Sequence, residues 1–159
     1  MLQPPDADTS AAELVRLHNL RPHPEGGWYR ELYRSPLTVQ RADAQPRSAL
    51  TLILFLLAAG ERSCWHRVRQ ADESWHLIAG DPLKLWMLRP GASAVQEHQL
   101  DWRQPALVVP AECWQAARSS GAWTLVSCCV GPGFDFADFE MLRDRPVDQH
   151  PAVDLLDLL

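Results

Sequence analysis

Between Gly60 and Gly80 the chain reads GERSCWHRVRQADESWHLIAG, which sets two histidines, His66 and His76, around the acidic pair Asp72 and Glu73. Imidazole and carboxylate at this density suit metal ligation, general acid–base transfer of a proton, or hydrogen bonding to a small molecule. Strand parity separates the candidates. In an extended chain residues two apart share a face, so His66 and Val68 point one way and Arg67 and Arg69 the other. After the turn RQAD, Glu73, Trp75 and Leu77 take one face and Ser74 and His76 the other. A hairpin would then let His66 and Glu73 approach each other inside, and would aim His76 away, where a hydrogen-bonded or interface histidine is expected. A carboxylate facing an imidazole favours the protonated ring and fixes its tautomer. Such a pair serves as a general base with its support, or as two groups that satisfy each other inside a binding cavity.

Other residues extend the expected pocket. Trp75 and Trp86, on inward registers, present flat apolar walls to a sugar ring or an aromatic ligand. Arg47, just before an apolar strand, suits a carboxylate or phosphate at the mouth, or a surface salt bridge. Tyr29 and Tyr33 are the only tyrosines and share a face with Glu31, which makes Tyr33 a candidate acid. His23 lies in the turn HPEGG, whose two glycines serve backbone geometry. In PGFDFADFE, Phe134, Phe136 and Phe139 are expected to close one barrel end or pack across a dimer, with the acids mostly solvated.

These side chains need a frame, and the composition bounds it. A chain of 159 residues is the size of one domain with a core of its own. Its 47% hydrophobic and 22% charged content is that of a folded protein, too apolar for disorder. The longest apolar run, Ala49 to Ala59, is 11 residues, short of the roughly 20 that cross a bilayer. The N-terminus MLQPPDADTS has acids where a signal peptide needs a basic region, so a cytoplasmic protein with no membrane partner is expected. A net charge of -5 argues against nucleic acid as a partner, since phosphate binding needs a basic face. Cys64, Cys113, Cys128 and Cys129 show no CxxC spacing and read as buried free thiols.

Along the chain, Ser10 followed by Glu13 has the form of a capping box, predicting a short helix over about 10–19. RPHPEGG ends it, and a strand is predicted to begin at Trp28. WYRELYR alternates, ALTLILFLL reads as a buried central strand, and seven more candidates follow near 63–69, 73–79, 82–88, 94–99, 106–109, 113–117 and 122–130. Short strands separated by Gly, Pro and Asp turns predict an all-β sandwich or closed barrel, with no parallel α/β sheet. The last stretch, with the terminus LLDLL, could dock on a partner or fray.

The spacing of Gly60, His66, Glu73 and Gly80 resembles the first signature motif of the cupin superfamily, G-x5-H-x-H-x3,4-E-x6-G. PAECWQ at 110–115 partly matches the second, P-x-G-x2-H. More narrowly, HPEGGWYRELYRS at 23–35, RSALTLILFLL at 47–57, WHRVRQADESWHLIAGDPL at 65–83, VPAECWQAA at 109–117 and CCVGPGFDFADFE at 128–140 resemble a family of short single-domain cupins, Cupin_5. The resemblance implies a double-stranded β-helix, a jelly-roll-like barrel commonly dimeric with its site inside. It implies one cupin domain over 1–159, with a core at about 10–142 and a tail at 143–159. Metal-binding cupins use three His and one Glu. Position by position these become His66, Val68, Glu73 and Gln115, so a divalent metal is not favoured; if one binds, His66, Glu73 and Gln115 are its ligands. Metal-free cupins that isomerise or epimerise sugars use a barrel His as base and a Tyr as acid. The expected function is therefore small-molecule binding in the barrel of a homodimer, with metal-independent isomerase or epimerase chemistry on a sugar-like or other small polar metabolite as the catalytic form. The alternatives are a metabolite-binding or sensing module without turnover, and a metal-dependent cupin oxygenase.

Overall fold

Ser10 and Glu13 satisfy each other's backbone and side chain as the capping box requires, and they start the helix α1 (Ala11–Leu17). The computed structural model describes residues 9–154 and 157–159. The segment MLQPPDAD and the tail leucines Leu155 and Leu156 lie outside the described residues.

Thirteen strands follow among the described residues: β1 (Arg21–Pro22), β2 (Trp28–Arg34), β3 (Thr38–Gln40), β4 (Pro46–Ser48), β5 (Thr51–Ala58), β6 (Ser63–Val68), β7 (Asp72–Gly80), β8 (Leu83–Leu88), β9 (Gln96–Leu100), β10 (Ala106–Val109), β11 (Trp114–Ser119), β12 (Trp123–Gly131) and β13 (Phe139–Met141). The nine predicted strands are all present. The four additional ones, β1, β3, β4 and β13, are two or three residues long, too short to show a period in the sequence.

The strands form a six-stranded sheet, β1-β2-β5-β12-β7-β10, a five-stranded sheet, β13-β6-β11-β8-β9, and the separate pair β3-β4. All pairings are antiparallel. The two large sheets close on each other as a double-stranded β-helix around Phe55, Leu57, Trp75, Leu85, Met87 and Val126. Alternate residues face outward: Leu54, Leu56 and Leu125 pack under Leu14 of α1.

The expected hairpin between His66 and Glu73 does not exist. β6 belongs to the small sheet and β7 to the large one, so the intervening residues cross between sheets rather than turn along one ladder. His66 and Glu73 meet across the interior instead.

The small sheet is covered on its outer face by Trp65, Trp86, Trp114, Leu142 and the tail residue Leu158. Leu158 is fully buried, and its carbonyl accepts from the Trp65 N–H at 2.8 Å. The described end of the tail thus docks on its own chain. All four cysteines are unpaired, with Cys64, Cys113 and Cys128 buried. No helix among the described residues is long and apolar enough to cross a membrane.

Candidate active site

A cavity of about 270 Å³ lies between the sheets, with Ile53, Phe55, Val68 and Val130 in its apolar walls. Glu25, His66 and Glu73 bring polar groups to it from three different segments. The volume is near the low end of small-molecule sites, which run from roughly 300 to 1,000 Å³.

His66 owes its setting to an irregularity. Opposite β11, the ladder shifts between the pairs Gln115 with His66 and Ala117 with Ser63, so one extra residue is accommodated in β6. Ser63 and His66, three apart, are consequently buried together. The His66 Nδ1 lies 2.8 Å from the Cys64 carbonyl, which assigns the proton to Nδ1 and leaves Nε2 as an acceptor. Nε2 is 3.2 Å from Glu25 Oε2, and the Ser63 hydroxyl donates to Glu25 Oε1 at 2.9 Å.

Glu25 comes from the HPEGG turn. Its carbonyl accepts from the Cys64 N–H at 2.8 Å, which ties the turn to β6. Gly26, at φ +107°, makes that approach possible, because a Cβ there would overlap the Arg62 carbonyl. From the facing sheet, the Trp75 Nε1–H donates across the interior to Gln115 Oε1 of β11 at 2.9 Å, and the Gln115 amide nitrogen donates back to Glu73. That chain orients the Gln115 amide and fixes the Glu73 carboxyl.

Burial sets the charges. It raises Glu25 to about 8, with the Ser63 hydrogen bond pulling only weakly the other way. It raises Glu73 to about 7, opposed by His66 and reinforced by Glu25. Burial also lowers the His66 pKa, although Glu73 and the Cys64 carbonyl act against it. Near neutral pH the imidazole is uncharged, Glu25 is mostly protonated and Glu73 is divided between its two forms.

Several expected pocket residues lie elsewhere. Tyr33 is 48% exposed: a bulge in β2 between Glu31 and Tyr33 reverses the parity, so Tyr29 and Glu31 face the cavity, Tyr33 does not, and Arg34 does. Trp75 points inward but is sealed in the core beneath Gln115. Trp86 alternates with the core residues Leu85 and Met87, so it points outward, where its Nε1–H donates to Glu97 at 3.0 Å. Arg47 is committed to Asp138, with contacts of 2.8 and 3.0 Å. His76 faces away from the cavity as its parity requires, bonded to Ser74 at 2.9 Å. No tryptophan lines the cavity. Phe134, Phe136 and Phe139 do line it, meeting edge to face at 5.0 to 5.9 Å.

The Cupin superfamily (DUF985) model matches residues 12–142. This chain belongs to the Cupin_5 family. It is similar over most of its length to a hypothetical protein from Leishmania major, at 30% identity and a TM-score of 0.77, covering 83% of this chain and 86% of that one. It is also similar to a Shewanella oneidensis protein, at 34% identity and a TM-score of 0.74, covering 84% of each. KdgF from a Halomonas species shares the fold, at 14% identity and a TM-score of 0.55, over 77% of this chain and 94% of that one. No curated protein matches the chain.

In this Cupin_5 chain the residues at the positions that metal-binding cupins use do not suit a metal. Val68 offers no ligand, and Gln115 has its oxygen engaged by Trp75 and its nitrogen by Glu73. His66 Nε2 faces Glu25, and among the described residues no group of three His, Cys, Asp or Glu side chains forms a metal-ligand set. The residue that sequence reasoning passed over is Glu25. Its signal was a carboxyl group set between a proline and two glycines, where the backbone was read and the side chain was not.

Proposed function

We propose that this cupin is a metal-independent proton-transfer enzyme, an isomerase or epimerase acting on a hydroxy-carbonyl metabolite of monosaccharide size in the cavity, and that it works in the cytoplasm as a homodimer. The observation that carries this reading is the pair of buried carboxyls on opposing walls of one cavity, with pKa values of about 8 for Glu25 and about 7 for Glu73. Groups titrating near working pH are those best able to give and take protons.

The ionised Glu73 removes the proton from the carbon next to the substrate carbonyl. Glu25, as the acid, delivers a proton to the same carbon from the opposite face, which completes an epimerisation. His66, with Nδ1–H held on the Cys64 carbonyl, keeps the Glu25 proton positioned through Nε2. The role of base passes from His66, where sequence reasoning put it, to Glu73, because the free lone pair of His66 is turned to Glu25. One turnover moves a proton from Glu25 to Glu73, and exchange with solvent after product release restores both.

Deuterium incorporation from D2O into a panel of hydroxy-carbonyl sugars, followed by NMR, tests the proposal. The parent protein is expected to label at least one member, and Glu73→Gln to slow labelling by a hundredfold or more. The rate should rise with pH as Glu73 ionises near 7 and fall as Glu25 ionises near 8, a narrow bell. Binding without labelling would remove the enzyme and leave a sensing module.

A further inference from the structure

Two nitrogen donors at the cavity mouth have no acceptor among the described residues. The Arg21 guanidinium lies over the Tyr29 ring, 5.1 Å from its centroid, and lines the cavity without a carboxylate partner among the described residues. The His23 ring meets the same tyrosine edge-on at 4.5 Å, and its side chain is only 5% exposed. His23 Nδ1 accepts from the Glu25 backbone N–H at 3.3 Å. Burial and the nearby His66 push the His23 pKa down to about 3, so the ring is neutral and carries its proton on Nε2. Contacts with Phe55, Phe136 and Phe139 at 5.7 to 6.1 Å hold the ring in this orientation.

The other guanidinium that lines the cavity is already engaged. Arg34 gives Nε and Nη2 to Glu31 at 3.0 and 2.8 Å and Nη1 to the Phe134 carbonyl at 3.0 Å. Asp135 accepts from the Ala137 N–H at 2.8 Å. Deeper in the cavity stand Glu25 and Glu73, and an anion pushed against them would meet like charge whenever either ionises.

We propose that Arg21 and His23 form an anion subsite that holds a carboxylate or phosphate of the substrate at the mouth, so that the substrate is an acidic rather than a neutral monosaccharide-sized metabolite. This rests on the reading of the cavity as the substrate site. A guanidinium fork and an adjacent imidazole N–H offer three donors to a group that needs acceptors filled on several sides.

Calorimetric binding of glucose, galactose and mannose, set against their uronates and their 6-phosphates, tests the subsite. Acids are expected to bind at least tenfold more tightly than the neutral parents at low salt, with the advantage shrinking as salt rises. Arg21→Gln, at an exposed position, should remove that advantage and leave neutral sugars unaffected. His23→Phe keeps the ring packing, removes the donor and should weaken acids severalfold. The arm with the larger Arg21-dependent advantage identifies the anion as carboxylate or phosphate. Equal binding of neutral and acidic members, or unchanged acid affinity in Arg21→Gln, overturns the subsite. Deuterium labelling of a neutral sugar in preference to its acids overturns the subsite and leaves the proton-transfer reading in place; failure of the parent to bind any member overturns both.

Discussion

Glu25 and His66, 3.2 Å apart, are each held uncharged by burial, and this makes Glu25 the side chain through which pH reaches the fold. Its pKa rises from 4.5 to about 8 on folding. The folded chain therefore keeps a proton that the unfolded chain releases. The stability this provides is complete below about 4.5, declines as pH rises, and is gone above about 8. Glu73 acts in the same direction up to about 7. His23 acts oppositely: its pKa falls from 6.5 to about 3, so stability drops as acid protonates the unfolded form first. Glu25→Gln preserves an acceptor for Ser63 and a donor toward His66 but cannot ionise. Denaturation curves from pH 5 to 9 should show the variant gaining on the parent as pH rises, with the gap levelling off above about 8. Parallel curves would rule out a buried neutral Glu25.

Two bulges and one ionic clamp convert regular strands into a site. The irregularity in β6 pairs Ser63 with His66, and the one in β2 exchanges Tyr33 for Arg34 at the cavity. The clamp is Asp138, nearly buried at 4% exposure, which accepts from Arg41 at 2.7 Å and from Arg47 at 2.8 and 3.0 Å. Burial works to raise its pKa, yet the two guanidiniums outweigh that and hold the carboxyl below its usual range. Both arginines belong to the β3–β4 hairpin, which joins neither large sheet. Through Asp138 it secures the phenylalanine segment at the mouth. Asp138→Ala should cost about 2 kcal/mol, since Arg47 loses its carboxylate and Arg41 is left with Asp43 alone, and hydrogen exchange should accelerate first over residues 134–139. The half-exposed pair Arg34 and Glu31 is a contrast: Glu31→Gln should cost less than about 1 kcal/mol.

Among the described residues, three apolar layers alternate with two sheets, and the one outside the small sheet is finished by the tail. Leu158→Ala should cost about 2 to 4 kcal/mol in equilibrium denaturation, because it opens space beside Trp65 and Trp114 that the strands cannot close. The cavity faces the other side of the small sheet, so deuterium labelling by the folded variant should match the parent. For the proposed homodimer, light scattering is expected to give twice the 17.9 kDa of the chain; a mass of one chain would contradict it.

Local rules carried much of this protein. The capping box, the nine longer strands, the outward turn of His76 and the inward turn of His66, Val68 and Glu73 all follow from neighbours within a few residues, and the spacing around His66 and Glu73 led to the family. Other features depend on distant partners. A bulge is defined by the strand opposite, so the parity that misplaced Tyr33 failed where β5 required an extra residue in β2. Trp86 was misassigned because both faces of β8 are apolar, one turned to the core and one to the tail. Glu25 became legible only when its turn was seated on β6, 38 residues from Ser63, since burial and not residue type makes a carboxyl an acid at neutral pH.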